Sequence, residues 1–170
     1  MFFKAETEIM GYTFAENSWG DSFYKIYNTK LDYFDAKARC EADGTFLAFP
    51  RSEAENMFFA GLMTDDGVTS WFESKNFWIG INDIEQEGNF VSVDGRDILF
   101  TNWNHGEPNG VPYWPNGEPK LFFQEEDGVE MIFNDTSPTG RWNDLPVYEK
   151  RKFICSINTR GKIFISNKNL

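Results

Sequence analysis

Five side chains in the second half of the chain have the types and spacing to hold a hard cation. They are Glu107 and Asn109 in Glu107-Pro108-Asn109, Glu126 in Glu126-Asp127, and Asn143 and Asp144 in Trp142-Asn143-Asp144. Calcium takes six to eight oxygen ligands at about 2.3–2.6 Å, and carboxylates and amide carbonyls are its natural partners. Glu107 and Asn109 flank a proline, so one rigid turn aims both, and the Glu107–Pro108 bond is eligible for the cis form. Glu126, Asn143 and Asp144 arrive from distant segments to close the cage. Three carboxylates and two amides suit one calcium ion with positions left for a ligand. Two adjacent sugar hydroxyls would fill those positions, each then donating to a carboxylate and accepting from an amide N–H. Taken singly, Glu-Pro-Asn-Gly is an ordinary turn and Trp-Asn-Asp an ordinary strand end. Their order, with strands on either side, favours the cation site.

Catalysis finds little support. Glu125 and Glu126 would make an acid–base pair on paper, yet no nucleophile stands with a positioned base, and His105, the sole histidine, cannot form a triad. The chain is therefore read as a binder and not an enzyme, with calcium orienting a ligand rather than activating water. His105 lies near the ligand residues in sequence, where protonation would make release acid-sensitive. Solvation on a loop is the commoner state of such a residue. Asn134-Asp135-Thr136 fits the N-glycosylation pattern, a short motif that many unmodified loops also fit.

A chain of 170 residues suits one domain with short extensions, and its 41% hydrophobic and 18% aromatic content supports a real core. The net charge of −11 opposes binding to nucleic acid and docking on anionic lipid. That excess of Asp and Glu is either a solvated face or, in part, a set gathered around a cation. No apolar run approaches the roughly 18–20 residues of a membrane span, so no membrane insertion is expected. No basic leader with an apolar core opens the chain, so any secretion signal is expected to lie outside it. Cys40 and Cys155 are far apart. They are either two buried thiols or one disulfide joining the first helix to the last strand. Closing so long a loop contributes on the order of 4–5 kcal/mol in the chain-entropy model. Composition does not choose between them.

The elements that must carry the ligands are helices first and strands after. Residues 1–18 are weakly patterned, with room for a short leading strand, and Ser22 to Tyr27 reads as a strand. Leu31, Phe34, Ala38 and Ala42 recur at helical spacing over Leu31 to Asp43, with Gly44 as the stop. Ser52 and Glu55 form a capping box that opens a second helix, whose Phe58, Phe59 and Leu62 face packs inward. Strands follow at Phe77 to Ile81, Phe90 to Val93, Ile98 to Phe100, Val129 to Phe133 and Lys152 to Ile157. Helices segregated from strands predict an α+β domain. Between Asn102 and Asp127 runs a loop rich in Pro, Gly, Asn and acidic residues, longer than compact domains usually tolerate without a function. Gly161 to Leu170 reads as a last strand or a tail.

From about Trp19 to Ile157 the sequence resembles the C-type lectin domain family. Phe34-Asp35-Ala36-Lys37-Ala38-Arg39-Cys40 is similar to the family's first helix and its cysteine, and Ser52-Glu53-Ala54-Glu55-Asn56 to the start of its second. Trp78-Ile79-Gly80-Ile81 resembles its core Trp-Ile-Gly-Leu signature. Asn102-Trp103, Glu107-Pro108-Asn109, Gly140-Arg141-Trp142-Asn143-Asp144 and Phe153-Ile154-Cys155 follow in the expected order. The resemblance implies the C-type lectin fold, with two helices packed on antiparallel sheets and a long calcium-binding loop region. Residues 19–158 would form the carbohydrate-recognition domain, 1–18 an N-terminal extension and 159–170 a C-terminal tail.

The resemblance also implies roles. Glu107, Asn109, Glu126, Asn143 and Asp144 match the principal calcium and sugar ligands, with Pro108 cis. Glu-Pro-Asn goes with mannose-type glycans (mannose, glucose, N-acetylglucosamine, fucose), where galactose binders carry Gln-Pro-Asp. A second calcium would map to Asp83, Glu87, Glu126 and Asp127, weakened because the Asp that usually follows the triplet is Gly110. The family's second disulfide falls at Gly128 and Val147, so both its cysteines are missing together and Cys40–Cys155 is the single bridge expected. The insertion from Gly110 to Gln124 is longer than usual. Tyr113 and Trp114 are its sugar-contact candidates, and Phe122 and Phe123 more naturally pack the loop onto the domain. An extracellular or cell-surface location and a homo-oligomer that multiplies weak sites fit this reading. Binding of a protein, or of an ice or mineral surface, on the same fold is the rival.

Overall fold

The computed structural model describes residues 13–15, 22–64, 76–110, 125–134 and 137–158. Strands and helices run in the order β1 (Thr13–Ala15), β2 (Ser22–Leu31), α1 (Tyr33–Ala42), β3 (Phe46–Leu47), α2 (Glu53–Thr64), β4 (Phe77–Asn82), β5 (Val91–Ser92), β6 (Gly128–Asn134), β7 (Ser137–Leu145) and β8 (Arg151–Asn158). The sheet reads β1-β2-β8-β4-β6-β7, with β3 added on β8 and β5 on β4. The α+β expectation holds. The pairings are antiparallel as expected, apart from a parallel seam where Phe77 and Trp78 of β4 lie beside Lys152 and Phe153 of β8.

β4 occupies the centre, and Phe77 to Ile81 are all buried. Such a strand is apolar throughout because both of its faces are covered. At Gly80 a Cβ would meet the Leu47 carbonyl oxygen at 2.2 Å, so only glycine lets the end of β3 approach β4 this closely. Around β4 the core divides in two. Phe59, Met63, Phe77, Ile79, Ile81, Val129, Met131 and Trp142 pack under α2. Tyr33, Ala36, Cys40, Leu47, Trp78 and Phe153 pack under α1, where the Cys40–Cys155 disulfide joins helix to sheet with a Cα–Cα distance of 5.5 Å.

α1 begins where Asp32 accepts the Asp35 N–H at 2.9 Å and ends at Gly44, whose φ of 72° is left-handed. There the Thr45 N–H reaches the Cys40 carbonyl at 2.9 Å and the Gly44 N–H reaches that of Glu41 at 3.0 Å, the bond pair of a Schellman cap. Its buried face differs from the one expected. Tyr33, Ala36 and Cys40 point inward while Phe34, Ala38 and Ala42 face water. The Tyr33 hydroxyl, bonded to the Ile81 carbonyl at 3.1 Å, and the disulfide anchor that face.

α2 starts as expected, with Ser52 Oγ accepting the Glu55 N–H at 3.2 Å. The return bond goes elsewhere, for the Glu55 carboxylate accepts the N–H of Arg51 at 2.7 Å and pairs with its guanidinium. Phe59 is buried, and Phe58 and Leu62 pack against the same core.

Ile98 to Phe100 is not a strand. Only Asp97 bridges to Val91, Leu99 is exposed, and Ile98 and Phe100 pack on the core from a loop. Two strands were not read from the sequence, the two-residue β3 and the longer β7. Gly140, Trp142 and Asp144 alternate inward along it, so the period of two is present but carried by a glycine and an acid. Asn56 holds β7 to α2, accepting from Trp142 Nε1 at 2.8 Å and donating to the Thr139 carbonyl at 2.7 Å. No helix among the described residues is long and apolar enough to cross a membrane.

Candidate functional site

β7 organises the acidic end of the sheet. The chain from Asn102 to Asn104 lies along it, with the Trp142 N–H donating to the Asn102 carbonyl at 2.9 Å and the Asn104 N–H to the Trp142 carbonyl at 2.8 Å. Arg141 Nη1 reaches Asn102 Oδ1 at 2.8 Å and secures the same seam. From this anchor the chain turns through Glu107 and the cis Glu107–Pro108 bond. The turn comes to rest on Asp144, two residues beyond Trp142. Asp144 Oδ1 accepts the Asn109 N–H at 3.0 Å and Oδ2 accepts the Gly110 N–H at 2.8 Å.

Glu107 and Asn109 are in contact through a hydrogen bond from Asn109 Nδ2 to Glu107 Oε2. Burial, and then the carboxyl of Asp144 beside it, push the Glu107 carboxyl up to about 7, with Glu126 adding to the effect. Glu126 closes the far side. A Cβ at Gly110 would meet Glu126 Cβ at 2.4 Å and its backbone nitrogen at 3.0 Å, so glycine is required for the turn to pack on Glu126. Gly110, expected to weaken a second cation set by replacing an Asp, is thus the residue that lets the Glu107-Pro108-Asn109 turn pack on Glu126. Glu107, Asn109, Glu126 and Asp144 are therefore brought together. Asn143 follows Trp142 on the opposite side of the strand, and its Nδ2 donates to Glu130 Oε1 at 3.2 Å.

The second expected set lies at the end of β4. Asp83 is buried, its N–H donates to the Asp127 carbonyl at 3.2 Å, and its Oδ2 accepts the Gly88 N–H at 2.7 Å. Its other oxygen, Oδ1, is buried with no hydrogen-bond partner. Burial first, then Asp127 and Asp144, raise the Asp83 carboxyl to about 6. Burial, Asp83, Asp127, Glu125 and Asp144 raise Glu87 to about 7. Burial and Glu125 raise Asp127. A buried carboxylate oxygen without a partner, in an oxygen-only set of acids, fits a divalent cation such as calcium. Among the described residues no three His, Cys, Asp or Glu side chains stand close enough to enclose an ion as placed.

Gly128, at one expected position of the second disulfide, has no room for a side chain, since a Cβ would meet Trp78 Cζ3 at 2.9 Å. His105 is exposed. Tyr113, Trp114, Phe122, Phe123 and the Asp135-Thr136 pair lie outside the described residues. The residue that sequence reasoning missed is Glu130. It sits within the apolar run Val129 to Phe133, where a buried acid requires partners and so signals a polar contact.

Comparison with known proteins places this geometry. Residues 29–157 match the lectin C-type domain. Collectin-11 of Bos taurus is 32% identical over 136 residues, which make up 79% of this chain and 43% of that protein, so the chain spans less than half the length of that relative. The mouse scavenger receptor C-type lectin carbohydrate-recognition domain superposes with a TM-score of 0.65 at 26% identity, covering 87% of this chain and 94% of that one. A calcium-independent type II antifreeze protein shares the fold with a TM-score of 0.65 at 19% identity, covering 87% of this chain and 92% of its own. The chain belongs to the C-type lectin domain family.

Proposed function

We propose that this domain is a calcium-dependent receptor for mannose-type glycans, and that it catalyses nothing. The observation that carries the reading is the seat of the Glu107-Pro108-Asn109 turn on Asp144, through the Asn109 and Gly110 N–H groups. It gathers Glu107, Asn109 and Asp144 beside Glu126, where burial, Asp144 and Glu126 raise the affinity of Glu107 for positive charge. With Asn143, these residues would hold one calcium. Asp83, Glu87, Glu126 and Asp127 would hold a second. The first ion, when bound, offers open coordination positions to two vicinal hydroxyls. Glu107 accepts a hydrogen bond from one hydroxyl and Asn109 donates to the other. Equatorial neighbouring hydroxyls of mannose, glucose, N-acetylglucosamine and fucose fit that pair. Tyr113 and Trp114 are proposed to stack on the sugar.

The disulfide agrees with an extracellular or cell-surface location, because such bonds persist in oxidising surroundings. Weak single sites favour a homo-oligomer. The test is a glycan array probed with the domain in calcium and in excess chelator. Signal on mannose- or fucose-bearing glycans that chelator abolishes is expected. Calcium binding by calorimetry without any glycan signal would overturn the sugar reading in favour of a protein, ice or mineral ligand.

A further inference from the structure

Glu130 and Arg151 hold Asn143, the neighbour of Asp144. Glu130 faces Asn143 directly across β6 and β7. Its carboxylate is almost fully buried, with 4% of the side chain exposed, and among the described residues its hydrogen bonds come from Arg151, Asn76 and Asn143, all donors. Arg151 Nε binds Oε2 at 2.5 Å and Asn76 Nδ2 binds the same oxygen at 3.1 Å, leaving Oε1 for Asn143 Nδ2 at 3.2 Å. Arg151 is held in turn by Glu149 Oε2 at 3.2 Å and the Lys150 carbonyl at 3.0 Å.

An asparagine amide has one accepting end and one donating end, and a carboxylate only accepts. Facing Glu130, Asn143 must present its nitrogen, so its carbonyl oxygen is turned the other way. A hard cation binds only that oxygen. We propose that Glu130, fixed by Arg151, is a positioning residue that sets the amide orientation of Asn143 for calcium. This rests on the reading of Asn143 as a calcium ligand. Groups behind a ligand that fix its orientation typically change metal affinity by about 10–100-fold when removed.

The test compares wild type with Glu130→Gln, Asn143→Asp and the double variant, using calorimetric calcium titration and the Asn143 side-chain amide signals of the chelated protein by NMR. Glu130→Gln gives the residue at position 130 a donor, so Asn143 is free to reverse, and calcium affinity is expected to fall about tenfold. Asn143→Asp sets a carboxylate against Glu130 and is expected to lose at least as much. In the double variant the new amide at position 130 donates to the new carboxylate at position 143, and most of that loss returns. A merely structural role for Glu130 predicts losses that add, and additive losses would overturn the proposal. Calcium binding that is absent in wild type would sink the calcium reading instead. In that case the amide protons decide the orientation: slow exchange in wild type that Glu130→Gln abolishes upholds it, and unchanged exchange refutes it.

Discussion

The buried Glu130 on β6 and a second set of acids, the buried Asp83 just after β4 with the half-buried Glu87 and Glu107 on loops, are satisfied in opposite ways. Glu130 meets a guanidinium and two amides, all donors. Asp83, Glu87 and Glu107 are desolvated among other carboxylates, which raises their affinity for protons, and the Gly88 N–H on Asp83 and the Asn109 amide on Glu107 only partly oppose the rise. Glu130 is completed by the protein's own arginine, and under the proposed function the other acids are the ones left for a cation from outside. The difference separates an acid completed by the protein's own cation from acids that lack one better than a count of acidic residues does.

The comparison can be strained most by removing Arg151. Arg151→Met leaves Glu130 buried without its cation, and the expected cost is about 3 kcal/mol of stability, present with and without calcium. Equal stability in chemical denaturation would mean that the pair is not what satisfies Glu130. Asp83→Asn acts in the opposite sense. It removes a charge whose Oδ1 has no partner, so the chelated protein should be at least as stable as wild type. Calcium should then raise the variant's melting temperature less than the wild type's. A calcium increment equal to that of wild type would remove Asp83 from any cation site.

The smallest effect expected is with pH. For these carboxyls the folded state binds protons more tightly than the unfolded chain, so their contribution is complete below the unfolded value near about 4. It is lost as pH rises through the folded values of about 6 for Asp83 and about 7 for Glu87 and Glu107. The chelated protein should therefore lose stability between about pH 4 and 7, while calcium affinity climbs over the same window as protons leave. A chelated protein that gains stability across that window would contradict the assignment.

Much of the fold was legible because its signals are local. Ser52, Gly44 and the apolar run Phe77 to Ile81 each announce an element through a cap, a left-handed stop or continuous burial. The face of α1 was misread because Tyr33 and Cys40 are anchored by a hydrogen bond and a disulfide that periodicity of aliphatic residues does not register. β7 was hidden because its inward positions carry Gly140 and Asp144, the second of which belongs to the site. The candidate ligand residues were named from their types and order, and the structure brings Glu107, Asn109, Glu126 and Asp144 together. Glu130 was not, since its partners come from Asn76 and Arg151, 54 and 21 residues away.

The most direct measurement is a calcium titration by calorimetry, followed by mannose and then galactose, on wild type and on the Glu107→Gln, Asn109→Asp double variant. The account predicts mannose binding to the wild type that requires calcium, and a double variant in which mannose is weakened and galactose gains relative to it. An unchanged preference between the two sugars, or mannose binding that survives chelation, would contradict it.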